Sequence, residues 1–298
     1  PEEFVNYMKH ITDLNRERNL QIIAQAKELN ELLLANDITP VFLKGTGNLL
    51  EGLYDDIAER MVGDIDFIVD KNTANKALKI LSENQYTYLD KTSNQLGYIK
   101  HYPRLVKKGR INAIEVHLEM TLKKFSSIFN YQIIKPQLKN LDTFILLSHE
   151  HQIAHTIINK QLNDYGYLYK NIALRNYYDL LLLSFNSDTL KSIGKFPIIF
   201  KQLNSFLAIA SVIFPNTQSI LFKKNSSIIR YQNSAIKLLD TPKKHQNRTE
   251  FLRLLLISEL RVKLLTKALY SKSHCLYVLH KLSDINWYKS KLGFKSPL

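Results

Sequence analysis

Two aspartates, Asp64 and Asp66, stand two residues apart in MVGDIDFIVD, residues 61–70, a run that otherwise reads as a buried strand. Strand side chains alternate between faces, so the two carboxylates share a face at about 6–7 Å. At an effective dielectric near 20, two such charges repel by roughly 2–3 kcal/mol. A divalent cation held between them offsets that repulsion, and hard cations such as Mg²⁺ take oxygen ligands. A third acid sits in a similar setting. In AIEVHLEM, residues 113–120, Glu115 and His117 share one strand face while Ile114, Val116 and Leu118 share the other.

A candidate anion site precedes both. In FLKGTGN, residues 42–48, a strand ends at glycines and feeds a helix. Backbone amides at such a helix start bind phosphate, with Lys44 adding a charge and Thr46 a hydroxyl beside Gly45. An ordinary strand–helix turn fits the same residues. A dinucleotide fingerprint fits them poorly, because Leu50 occupies the third glycine position and two acids replace the single ribose-binding one. In SHEHQIAH, residues 148–155, His151 and His155 are four apart and share a helix face. The order H-E-x-x-H is absent, since Ile153 follows His149 by four, so His155 is expected to line a cleft or meet an acceptor rather than bind zinc. His117 is expected as a satisfied histidine beside the cleft. Arg175 with Tyr177 and Tyr178, and the link DYGYLYKN, could stack a base or pack a helix junction.

The elements that must position these groups follow from periodicity. Apolar residues Leu14, Ile22, Ile23, Ala26, Leu29 and Leu33 recur at helical spacing, so an amphipathic helix is expected over 14–34. TPVFLKG reads as a strand, TGNLLEGLY as a helix, DIDFIV as a strand and NTANKALKILSEN as a helix. LGYIKHYPRLVKK and INAIEVHLEM read as a strand meander turning near KKGR. After about residue 139 the chain is read as helical throughout, starting with DTFILLSHEHQIAHTIIN. The expected class is α+β: a short mixed sheet flanked by helices over residues 1–140, then a helical domain over 141–298.

Glycine turn, helix, D-x-D strand and a later strand with a third carboxylate together resemble the polymerase β-type nucleotidyltransferase superfamily, and within it the bacterial family of uncharacterised nucleotidyltransferases. The matching residues are Lys44–Gly45, Arg60, Asp64–Ile65–Asp66 and Glu115–Val116–His117, over about residues 15–120 and more loosely to Leu183. One departure is Thr46 in place of the usual serine, which keeps the hydroxyl; another is a longer gap to Asp64 than in the smallest members. The resemblance implies a polymerase β-like core. It implies that Asp64, Asp66 and Glu115 hold two Mg²⁺ ions, with Mn²⁺ as a substitute, and that Lys44, Gly45, Thr46 and Arg60 bind the phosphates of an NTP such as ATP. A nucleoside monophosphate would then pass to an acceptor hydroxyl, with release of pyrophosphate. Related folds modify tRNA, proteins or small molecules, so the fold does not choose the acceptor. Two other readings are a non-catalytic nucleotide- or RNA-binding module on this scaffold and a D-x-D glycosyltransferase, which would need a sheet extending past residue 140.

Charge bears on the acceptor. Net charge is +14, with 19 Lys+Arg against 18 Asp+Glu in residues 1–140 and 22 against 9 in residues 141–298. A basic half-chain suits an anionic partner such as RNA or a tRNA end, although a lysine-rich composition that only solvates helix surfaces produces the same count. A single cysteine, Cys275, excludes an internal disulfide framework and a cysteine-based zinc site, and a cytoplasmic location is expected from it. No signal-peptide pattern is visible. The longest uncharged run, residues 202–222, is too polar and broken to span a membrane, so no membrane partner is expected.

Overall fold

The computed structural model describes residues 2–89 and 100–283. These fall into two compact units, 2–89 with 100–237, and 238–283. Residues 96–99 of LGYIKHYPRLVKK, residues 96–108, expected as a strand, lie outside the described residues; in the rest, His101 makes an isolated bridge to His117 and only Leu105–Val106 forms a strand.

The first unit opens with helix α1 (Glu2–Leu34), longer than expected. Its buried stripe is Asn15, Asn19, Ile22, Gln25, Ala26, Leu29, Asn30 and Leu33, whereas Leu14 is exposed. Half of that stripe is amide, and each amide donates to a loop carbonyl. Asn15 reaches Ala58 O at 2.7 Å, Asn19 reaches Arg60 O at 2.7 Å, Gln25 reaches Asn112 O at 2.9 Å and Asn30 reaches Thr143 O at 2.9 Å. Buried carbonyls need such donors. The turns that the sequence reading left out, residues 2–13, bury no side chain, so no apolar stripe marks them.

The sheet strands are β1 (Val41–Phe42), β2 (Ile65–Ile68), β3 (Thr87–Tyr88), β4 (Leu105–Val106), β5 (Ile114–His117), β6 (Lys139–Leu141) and β7 (Phe144–Leu146). Their order is β3-β4-β5-β2-β1-β7-β6. Pairs β2–β5 and β1–β7 are parallel and the others antiparallel, so the sheet is mixed as expected. Helices α2 (Lys44–Glu51) and α3 (Lys71–Glu83) follow β1 and β2. The boundary expected at residue 140 falls inside β6. FILL, residues 144–147, expected as helix, supplies β7 instead; a short apolar run has no period by which to tell the two apart.

Alternation divides the sheet. Ile65, Phe67, Ile114 and Val116 pack with Ile22, Ala26 and Leu29 of α1 and with Ala74, Ala77 and Leu81 of α3. The opposite face carries Asp66, Ile68, Glu115 and His117. There Ile68 joins a second core of residues that follow the sheet in sequence. After the short α4 (Tyr131–Ile134), these come from α5 (His149–Ile158), α6 (Gly166–Tyr169), α7 (Leu174–Ser184), α8 (Thr189–Gly194), α9 (Phe200–Ile213) and α10 (Ser226–Leu239). The acids thus occupy the face that the later helices partly cover. The second unit holds α11 (Pro242–Ala268) and α12 (Lys272–Ser283), which pack against each other; DTPKKHQNRTE, expected as a link, supplies the first turns of α11. Among the described residues no helix is long and apolar enough to cross a membrane.

Candidate active site

Register decides the site. β2 and β5 run parallel with Asp66 directly opposite Glu115 and Ile68 opposite His117, so all three polar side chains leave the sheet on one face. Asp66, Glu115 and His117 are buried, and one ligand atom from each lies within 4.8 Å of the others. This is the one group of potential metal ligands of that kind among the described residues. The chain therefore brings together two residues that are 49 positions apart. His117 Nε2 lies 2.8 Å from Asp66 Oδ1 and 3.6 Å from Glu115 Oε2, while its Nδ1 has no partner among the described residues. Asp64 precedes β2 and is less buried.

Cations of the chain itself neutralise the acids. Lys44 Nζ is 2.7 Å from Asp66 Oδ1 and 3.9 Å from Glu115 Oε2. Arg104, just before β4, spans two carboxylates: Nη2 is 2.9 Å from Asp64 Oδ2 and Nε is 3.0 Å from Glu115 Oε1. Burial disfavours the charged form of Glu115, but hydrogen bonds from His117 and Arg104 and the charges of Lys44 and His101 outweigh it and hold the carboxyl well below the usual range. Asp64 moves the other way. Burial raises its pKa, as do Glu115 and Asp66, with Arg104 opposing. Burial also opposes the Lys44 ammonium, and Asp66 and Glu115 more than restore it. Lys100 is half-buried near the same charges, with Asn159 Oδ1 at 3.4 Å. Its pKa is pushed down to about 8 by burial and by Lys44.

The turn that carries Lys44 is tightly built. Lys44 has φ +54°, a left-handed conformation that costs a non-glycine residue about 1–2 kcal/mol. Helix α2 has no side-chain cap at Leu43, so its first amides have no cap side chain to accept from them. Gly47 is required by close approach, since a Cβ there would lie 2.9 Å from Phe42 O. A Cβ on Gly45 would meet Val62 Cγ2 at 3.0 Å and the Arg60 guanidinium at 3.3 Å. Thr46, expected at phosphate, is buried and donates its hydroxyl to Asp64 O at 3.1 Å, tying α2 to the acidic strand. Arg60, expected beside the phosphates, is buried with its Nε 2.9 Å from Asp179 Oδ1. Asp179 also accepts from Tyr54 at 2.8 Å. A buried guanidinium needs a counter-charge, and α7 supplies it from 119 residues away.

The remaining candidates are placed apart from the acids. His151 and His155 both pack on Phe129, at 6.0 and 6.1 Å between ring centroids. Burial and the nearby Lys44 and Lys100 charges hold His155 well below the usual histidine range. Neither is placed as a metal pair with the acids. His155 does line a cavity of about 10 Å³, room for about one water, with Lys44, Gly47, Asn48 and Gln152. Arg175 is exposed on α7. Tyr177 stacks on Phe206 at 4.0 Å and Tyr167 on Tyr231 at 4.7 Å, so these rings form packed helix junctions. Sequence reasoning missed Arg104, Lys100 and Asp179. The first two lie in IKHYPR, where two basic residues four apart on a strand-like run gave a signal, and Asp179 is an acid on the apolar face of α7.

Residues 1–194 fit the family described as uncharacterised nucleotidyltransferase. The chain belongs to that family. This nucleotidyltransferase-family chain also resembles solved structures. One is an antigenic nucleotidyltransferase-like protein from Paracoccidioides brasiliensis, with 17% identity, TM-score 0.41, and 70% of this chain and 97% of that one covered. Another is JHP933 from Helicobacter pylori, with 15% identity, TM-score 0.38, and 82% and 97% covered. A third, a putative nucleotidyltransferase from H. pylori, has 15% identity, TM-score 0.37, and 80% and 96% covered. No curated protein matches the chain.

The donor set fits a hard divalent cation. Lys44 and His117 both engage Asp66 Oδ1, leaving Oδ2 as the oxygen with no donor among the described residues. Burial and like charges raise the Asp64 pKa, the condition that an added cation relieves. The group that could hold an ion is two carboxylates and an imidazole, Asp66, Glu115 and His117, and Asp64 lies outside it.

Proposed function

We propose that the chain transfers a nucleoside monophosphate from an NTP to an acceptor hydroxyl. The observation that supports this most is the Asp66–Glu115 register on adjacent parallel strands, with Asp64 beside it and Lys44 over it. Asp64, Asp66 and Glu115 would hold Mg²⁺ or Mn²⁺. Bound there, the cations would neutralise the triphosphate and lower the pKa of the acceptor hydroxyl. The acceptor oxygen forms a bond to the α-phosphorus and gives up its proton to bulk water, the α–β phosphoanhydride bond breaks and pyrophosphate leaves. Lys44 and the backbone amides of Gly45 and Thr46 bind the departing phosphates. Thr46 and Arg60 position this turn, Thr46 through Asp64 O and Arg60 through Asp179. Glu115 would serve as a ligand of the cation. His117 orients Asp66.

RNA, including a tRNA end, is the acceptor that the basic second half favours, with 22 Lys+Arg against 9 Asp+Glu. Beyond residue 140 the sheet gains only the short β6–β7 pair, not the extension a glycosyltransferase would need. The test is incubation with each α-³²P-labelled NTP, Mg²⁺ and total RNA or cell lysate. Label should pass to RNA in a Mg²⁺-dependent way. Label on protein instead would reject RNA as acceptor, and no transfer to any acceptor would reject the reading.

A further inference from the structure

We propose that Arg104 is a polyphosphate-binding residue that, before nucleotide arrives, lies across Asp64 and Glu115 and competes with the metal for them. The proposal rests on the acids being the metal site, as argued above. Arg104 does not make the usual two-pronged contact with one carboxylate. Its Nη2 and Nε engage two carboxylates from two different parts of the sheet, Asp64 Oδ2 at 2.9 Å and Glu115 Oε1 at 3.0 Å. A cation held by Asp64 and Glu115 would need carboxylate oxygens that the guanidinium now engages.

Charge points the same way. Lys44 and Arg104 already set two positive charges against the three carboxylates. Adding a divalent ion with both still in place would leave an excess of positive charge at a partly buried site, so one must give way. Lys44 is the more enclosed, with a side chain 26% exposed, and Arg104 the freer at 51%. Arg104 is thus the group that can swing out without disturbing the core. Asp64 and Glu115 are 22% and 10% exposed, so Arg104 covers them from the solvent side, the side from which nucleotide comes. A guanidinium displaced to that mouth meets an incoming triphosphate, whose oxygens match its planar fork better than a lysine would. Metal and nucleotide then enter together: the ion takes the carboxylates and the phosphates take Arg104.

The experiment measures Mn²⁺ binding without nucleotide, by electron paramagnetic resonance of free Mn²⁺, and binding of a fluorescent NTP analogue at saturating Mn²⁺. It uses the full chain and the variants Arg104→Gln, Arg104→Lys and Asp66→Asn. Arg104→Gln should bind Mn²⁺ about tenfold more tightly than wild type and the nucleotide about tenfold more weakly. Arg104→Lys keeps charge but cannot span both carboxylates, so it should tighten Mn²⁺ while recovering part of the nucleotide affinity, a pattern that a merely structural role would not give. Equal Mn²⁺ affinity in wild type and Arg104→Gln overturns the competition, and unchanged nucleotide affinity overturns the phosphate contact. Either result leaves the metal-site reading standing if Asp66→Asn abolishes Mn²⁺ binding. If wild type and Arg104→Gln both fail to bind Mn²⁺, the metal-site reading fails and this proposal with it.

Discussion

The Arg60–Asp179 pair gives the sharpest energetic test of how the turn is held. Both side chains are almost fully enclosed, at 8% and 4% exposure, and Asp179 also takes the Tyr54 hydroxyl at 2.8 Å. Asp179→Leu would strand a buried guanidinium, and breaking a buried pair from one side costs about 3–5 kcal/mol. Arg60→Met strands the carboxylate, with a similar cost of about 3–5 kcal/mol. The double variant removes both charges and leaves the part-buried Met61 O without its Arg60 donor and the Tyr54 hydroxyl without its acceptor, at about 1–3 kcal/mol for the buried hydroxyl. The coupling energy should therefore be at least about 3 kcal/mol, far beyond the few tenths expected of independent sites. Urea unfolding of the four proteins measures it. Nucleotide binding by the double variant then separates positioning from contact: affinity within a few-fold of wild type is expected if Arg60 only supports the turn. Additive single-variant losses would refute the coupling, and loss of nucleotide affinity in a well-folded double variant would return Arg60 to the phosphates.

Other outcomes follow from the same geometry. Asp64→Ala and Asp66→Ala should each lower label transfer by more than about a hundredfold, while nucleotide binding in EDTA persists in weaker form. Gly47→Ala places a Cβ 2.9 Å from Phe42 O, so α2 must move off β1; urea unfolding should show a loss of about 1–3 kcal/mol and the NTP KM should rise. His155 is held neutral in the folded chain, so its unfolded form alone takes up a proton as pH falls below about 6.5. Its contribution is fully present above that pH and is lost below it, by up to about 1.4 kcal/mol per pH unit. His155→Gln should flatten the acid limb of stability against pH by that amount.

How much of this was legible in the sequence depended on whether a residue's reason lies near it in the chain. Asp64, Asp66 and Glu115 could be read because an acid among strand aliphatics is costly wherever the strand packs, and their pairing follows once β2 and β5 are neighbours. Lys44 could be read from its glycines. Thr46 and Arg60 were expected at the phosphates, and their contacts in the structure could not be read because they depend on partners 18 and 119 residues away. Arg104 stayed hidden because a basic residue on an edge-side run looks like a solvated one until the fold sets it over two carboxylates. The same limit applied to the fold. The mixed sheet and its helices followed periodicity, whereas β7 was lost in a short apolar run and half the buried face of α1 was asparagine and glutamine.

The central claim is that this acidic cluster directs attack at the α-phosphorus of an NTP. The most direct measurement is the phosphate product released during label transfer, followed in wild type and in Glu115→Gln. Pyrophosphate should appear in one-to-one ratio with transferred α-label, and both should vanish in Glu115→Gln while its fold, seen by circular dichroism, is unchanged. Release of orthophosphate or a nucleoside diphosphate instead, or undiminished transfer by Glu115→Gln, would contradict the account.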